Sequence, residues 1–280
     1  TGFGDAGPDA RQPVFDLTAY WSRSGLLAST RDAGAPPTVP VWGSGDYTTA
    51  IAIYAAITTA LYHRERTGRG ADVGTSLLAT GVWATGTLVA GALAGGTPFE
   101  LHDRNVPLNA LTNPYRTADD RWFMLATSSA HWPALARAID RPELQEDPRF
   151  ADVDAFAQHA AALSELLDAA FRARPFAHWQ DVLTRERITV GLIQTPEEAA
   201  QDPQLRENDV VVPLEGVEGL TETISNPVNL RGVPKVAARR APELGEHNDE
   251  ILTQLGFGPA EIAALRARGA IPGMTEAEAA

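Results

Sequence analysis

Between Asp46 and Gly68 the sequence carries an uninterrupted helical period, and any fold of this chain must be built around it. Ile51, Tyr54, Ala55, Thr58, Leu61 and Tyr62 recur at helical spacing. Asp46 stands where an N-cap belongs, and Arg64 and Arg66 fall in the last turn before Gly68. The pattern predicts one long helix capped by Asp46 at its start and by glycine at its end. In front of it, residues 2–45 are rich in Gly, Pro and Asp and read as loop, apart from a short amphipathic helix over 15–27. Behind it, 71–75 predicts a brief strand and 76–93 a second, mostly buried helix.

After residue 93 the period is lost, and an inter-domain linker is expected over 94–112, where Gly95, Gly96 and Pro98 break the helix. A hairpin follows, with short strands over 115–117 and 121–125 around the acidic turn at Asp119-Asp120. Helices are predicted over 129–139, 153–172 and 176–187, a strand over 190–193, a helical turn over 196–200 with Pro196 at N1, and a strand over 209–214. Two helices, 246–255 and 259–268, close the chain against Gly256 and Gly269. The expected organisation is part of a large domain over 1–93, the linker, a small α+β domain over 113–214, and a segment over 215–280 whose helices return to the large domain.

Composition narrows the function. With 36 acids against 23 bases the net charge is −13, the arginines are scattered and Lys235 is the only lysine, which argues against nucleic acid as partner. A 44% apolar content suffices for a substantial core. The absence of cysteine removes thiol nucleophiles and thiolate metal sites and fits a reducing, cytoplasmic setting. The apolar stretch over 74–96 is broken by glycines and threonines, as in a buried helix rather than a membrane span. The six histidines are too far apart to share a metal on one helical face, so no metal site is expected.

Three local patterns resemble catalytic signatures. Gly2-Phe3-Gly4-Asp5-Ala6-Gly7 satisfies G-x-G-x-x-G, but no strand precedes it and Pro8 and Pro13 follow where a helix should run, so it reads as an ordinary turn. Ser44 lies between two glycines without the frame of a nucleophile elbow. Asp46 has two readings: a plain cap, or a carboxylate at the positive end of a helix, approached closely beside Gly45 and able to attack a thioester carbonyl.

From residue 39 to residue 77 the sequence is more specific. Gly45-Asp46, the run Ala60-Leu61-Tyr62-His63-Arg64-Glu65-Arg66-Thr67-Gly68-Arg69-Gly70, Val73 and Ser76-Leu77 resemble the core signature of the family III CoA-transferases. That family includes formyl-CoA and carnitine CoA-transferases, with α-methylacyl-CoA racemase as a relative. The resemblance continues in Thr1-Gly2-Phe3-Gly4, Gly7-Pro8, residues 115–119, Thr195-Pro196-Glu197-Glu198, Asp202-Pro203 and residues 242–247, in the family's order. It implies an α/β fold, a Rossmann-like large domain with a smaller α+β domain, in an interlocked homodimer. It also implies that this chain follows, and lacks, the family's N-terminal Rossmann-like region.

The same resemblance makes Asp46 the nucleophile and points to Gly45, Asp16, Arg104 and Asn105 as substrate-binding positions. The implied course runs from acyl-CoA through a mixed anhydride to an aspartyl-CoA thioester, which an acceptor carboxylate then reverses. Coenzyme A is then a substrate, with no permanently bound cofactor. Two departures bear on the reaction. Phe15 stands where racemases of the family carry a histidine, and Ser128-Ser129 replaces a racemase acid, so the α-proton exchange lacks its bases and transfer is favoured over isomerisation. The loop over 104–109 has no glycine, unlike the lid of formyl-CoA transferases. The alternatives are a 2-methylacyl-CoA racemase-type isomerase and a non-catalytic module of such an enzyme.

Overall fold

The computed structural model describes residues 1–97 and 99–271; Pro98 of the expected linker and the last part of the 215–280 segment lie outside the described residues. The chain divides into two units, residues 1–193 and 194–280.

The first unit opens with a π-helical segment, Leu17–Arg23, and the short helix α1, Leu26–Ser29, where one amphipathic helix was expected. The long helix α2 is present and runs Ser44–Thr67, with Gly68 at its C-cap donating to Arg64 O at 2.7 Å. It starts two residues before Asp46. Gly43 takes the N-cap with a left-handed φ of 75°, and Asp46 lies in the first turn. The expected second helix is two: α3, Leu77–Ala84, and α4, Gly86–Leu93, hinged at Thr85. The first three N–H groups of α3 all find acceptors: Leu77 donates to Thr1 O, Leu78 to Gly2 O, and Ala79 to the hydroxyl of the Ser76 cap. These two helices are less buried than their composition suggested, since Trp83 and Leu93 are 86% and 85% exposed. Residues 71–75 form no strand; their neighbours are the chain start and α3 rather than another strand.

The remainder of the unit is organised on an antiparallel sheet in which β2, Trp122–Ala126, pairs on one side with β1, Thr112–Arg116, and on the other with β3, Val190–Leu192. Helices α5 (Trp132–Ala138), α6 (Val153–Gln158), α7 (Ala160–Phe171) and α8 (Phe176–Arg185) surround it. The main core lies here. Phe123 sits between Tyr115, Phe171 and Phe176 with ring centroids 5.0–6.3 Å apart, and Trp179 meets Phe171 edge-on at 5.1 Å. Tyr115 is fully buried and donates to Ala110 O at 2.6 Å; burial pushes its hydroxyl pKa up to about 12.

The second unit carries helices α9 (Pro196–Ala200), started by a reciprocal Thr195/Glu198 capping box, and α10 (Pro203–Glu207). Its own sheet has β4 (Val211–Glu215) between antiparallel β5 (Glu222–Ile224) and parallel β6 (Ala238–Arg239). The strand that the sequence groups with the hairpin thus pairs with two later strands. Helices α11 (Asn248–Gln254) and α12 (Pro259–Ala267) complete the unit.

Candidate active site

The turn before α2 is fixed by the π-helical segment. Asp16 is buried, and its Oδ2 accepts from Gly45 N–H in a long contact of 3.4 Å. Gly45 is buried against the ring of Tyr20: a Cβ there would lie 2.6 Å from Tyr20 Cβ and Cγ, closer than any real side chain approaches. Trp21 Nε1 donates to Ser44 Oγ at 3.0 Å, and that hydroxyl donates to Val41 O at 2.8 Å. Asp16 therefore supplies the acceptor at the helix start that was expected of Asp46. Asp46, one residue beyond Gly45, remains exposed at the positive end of a 24-residue helix.

Asp46 opens into a cleft of about 510 Å³. Thr49, Ala50 and Ile53 continue along α2, while Asp5 and the segment Val73-Gly74-Thr75 form the opposite side. Thr49 and Thr80 share a hydroxyl contact of 2.6 Å that fastens α2 to α3 beneath it. Thr1 joins this side, its backbone nitrogen donating to Thr75 O at 3.0 Å. This arrangement presents an accessible carboxylate beside apolar wall and small residues, which allows close approach of an acyl carbonyl.

Of the positions marked by the sequence, Gly45, Asp46 and Asp16 come together, although Asp16 lies under the turn instead of lining the cleft. Arg104 and Asn105 do not line it. Arg104 pairs with Asp168, donates to Pro114 O at 3.2 Å and to Asn105 Oδ1 at 2.7 Å, and lies over the Trp122 ring at 5.1 Å. Asn105 is held by Asp103 Oδ1, which accepts from its backbone and side-chain N–H groups. Sequence reasoning missed Asp5, whose G-x-G-x-x-G frame read as an ordinary turn, and the buttresses Tyr20 and Trp21, for which the sequence carries no signal. A larger cleft of about 870 Å³ in the second unit holds none of the marked residues, and the ammonium of Lys235 within it donates to Asp209 O and Asn226 O. Among the described residues no group of three or more His, Asp or Glu side chains is placed to hold a metal, and no helix is long and apolar enough to cross a membrane.

Asp46 thus stands exposed in the first turn of a long helix, in a mixed α/β chain, with the buried Asp16 holding the N–H of the adjacent Gly45. Residues 1–248 match CoA-transferase family III, and the chain belongs to that family. It is 29% identical over 265 residues to (R)-2-hydroxy-4-methylpentanoate CoA-transferase of Clostridioides difficile, covering 93% of this chain and 66% of that one. It is 31% identical over 250 residues to acetyl-CoA:oxalate CoA-transferase of Acetobacter aceti, covering 88% and 62%. The chain thus spans slightly less than two thirds of these relatives' length. Its fold superposes on Rv3272 from M. tuberculosis with a TM-score of 0.77 at 23% identity, covering 89% of this chain and 66% of that one. A CAIB/BAIF family protein from Brucella suis gives 0.76 at 24%, covering 91% and 66%.

Proposed function

We propose that the protein is an acyl-CoA:carboxylate CoA-transferase in which Asp46 is the nucleophile. The observation that carries this reading is the exposed Asp46 carboxylate, held at the head of α2 beside a glycine packed so closely on Tyr20 that an added Cβ would force the two apart. The Asp46 oxygen attacks the thioester carbonyl, and the C–S bond breaks to give a mixed anhydride and CoA thiolate. The thiolate then attacks the Asp46 carbonyl and releases the donor as its carboxylate, leaving an aspartyl-CoA thioester. An acceptor carboxylate repeats the two steps in reverse order and leaves as acyl-CoA, with Asp46 regenerated. Each step exchanges one activated acyl bond for another, so no ATP is consumed.

Support comes from the relatives, whose names are those of CoA-transferases acting on carboxylic acids. Coenzyme A is a substrate in this reading, and the setting is cytoplasmic. A homodimer accounts for the apolar side chains left at the surface of α2 to α4, among them Tyr54, Leu61 and Trp83. Phe15, 76% exposed and without a titratable group, gives no support to isomerisation. The test is Asp46→Asn, which keeps size and removes the nucleophilic oxygen. Transfer should vanish while the circular dichroism spectrum and melting temperature are kept, and in the wild type hydroxylamine after acyl-CoA should modify the peptide containing Asp46. Near-normal turnover by Asp46→Asn would disprove the mechanism.

A further inference from the structure

We infer that Asp5 makes this cleft selective for acyl groups and acceptors with a single carboxylate, against dicarboxylic ones; this rests on Asp46 being the nucleophile. Asp5 and Asp46 line the same cleft, and the Asp5 carboxylate stands over Gly74, where a Cβ would lie 3.7 Å from its Oδ2. Gly4, in a left-handed conformation with φ of 112°, turns the chain to place it there. The other wall residues are Ala50, Ile53, Val73 and Leu77, with hydroxyls from Thr49, Thr75 and Thr1. Among the described residues, no Lys, Arg or His side chain lines the cleft.

An acyl group bonded to Asp46 extends from that carbonyl along this wall. If its far end is methyl or methylene, it meets Ile53, Val73 or Leu77 and gains by leaving water. A second carboxylate at the far end keeps its charge, must shed water against apolar side chains, and meets the like charge of Asp5. Asp5 is exposed, so the effect is that of a screened charge and falls with ionic strength. The occupant defined by this chemistry is a monocarboxylic acid with an apolar or hydroxylated body.

The experiment compares butanoyl-CoA with succinyl-CoA, four-carbon acyl groups that differ in one terminal carboxylate. In the complete protein, single-turnover formation of the Asp46-CoA adduct is followed by mass spectrometry for the wild type and for Asp5→Asn. Wild type should react faster with butanoyl-CoA. Asp5→Asn should raise the succinyl-to-butanoyl rate ratio about five-fold, the size of one exposed like-charge contact at a few ångströms in water. Raising the salt from about 0.05 to about 0.5 M should narrow the wild-type preference and leave that of Asp5→Asn in place, which a merely structural role of Asp5 would not produce. An unchanged ratio in Asp5→Asn, or a wild-type preference for succinyl-CoA, would overturn the inference while the nucleophile stands. No adduct on Asp46 from either donor would overturn the proposed function and this inference with it.

Discussion

Gly45 carries the tightest constraint at the site, because its α-carbon is pressed against Tyr20 while its N–H is held by Asp16. Gly45→Ala forces the ring and the first turn of α2 apart. The expected cost is roughly 1–3 kcal/mol of stability, read from urea unfolding. A shift of about 1 Å in Asp46 should lower the transfer rate on the order of 100-fold, a larger loss than the stability change alone would give. Asp16→Ala removes the buried acceptor and should cost about 1 kcal/mol, whereas Asp16→Asn, which can still accept through its amide oxygen, should recover most of it. Equal loss in the alanine and asparagine variants would show that Gly45 N–H does not depend on that oxygen.

At the scale of elements, the hairpin and α8 are joined by Asp119, whose Oδ1 accepts from the Thr117 hydroxyl and from Phe176 N–H at 3.0 Å. The Thr117 hydroxyl, with Phe176 N–H, holds this carboxyl below its ordinary value of 3.8. A carboxylate with a depressed pKa contributes stability above its unfolded-chain value and loses it as pH falls through the folded one. The stability of wild type over Asp119→Asn should therefore be at its full value near neutral pH. It should decline below about pH 4 and disappear in stronger acid, as followed by thermal melts across that range. Packing of the same module rests on Phe171, fully buried between Tyr115, Phe123 and Trp179. Phe171→Ala should cost about 3–5 kcal/mol and broaden or abolish the cooperative transition.

At the scale of the whole molecule, the first unit combines a closed core around the β1–β3 sheet with helices that bury little. Ile51, Tyr54, Ile57 and Leu61 on α2 are all 40–47% exposed, and only Gly45 of that helix is buried. Apolar surface of this extent drives association. Residues 1–280 as a separate protein should sediment as a dimer or larger species, and replacing Tyr54 and Leu61 with glutamate should shift them toward monomer. A monodisperse monomer with the native side chains would contradict this expectation.

Much of this was legible along the chain, for a local reason. The α2 period, the Gly68 end, the helical turn with Pro196 in its first position and the hairpin around Asp119-Asp120 are set by neighbours within a few residues, and they form as the sequence predicts. The Gly-Asp turn was legible too, through its resemblance to a family. What the sequence leaves open is decided by groups distant along the chain. Asp16 rather than Asp46 serves the start of α2, because the fold brings a buried carboxylate from 29 residues away to Gly45 N–H. Residues 73–75 of the expected strand over 71–75 line a cleft, and Thr75 O accepts from Thr1. The strand over 211–215 joins a sheet of its own because its partners come later. Local periodicity specifies helices and turns, but which polar group meets which across tens of residues depends on tertiary packing, and that packing alone placed Asp5 across the cleft from Asp46.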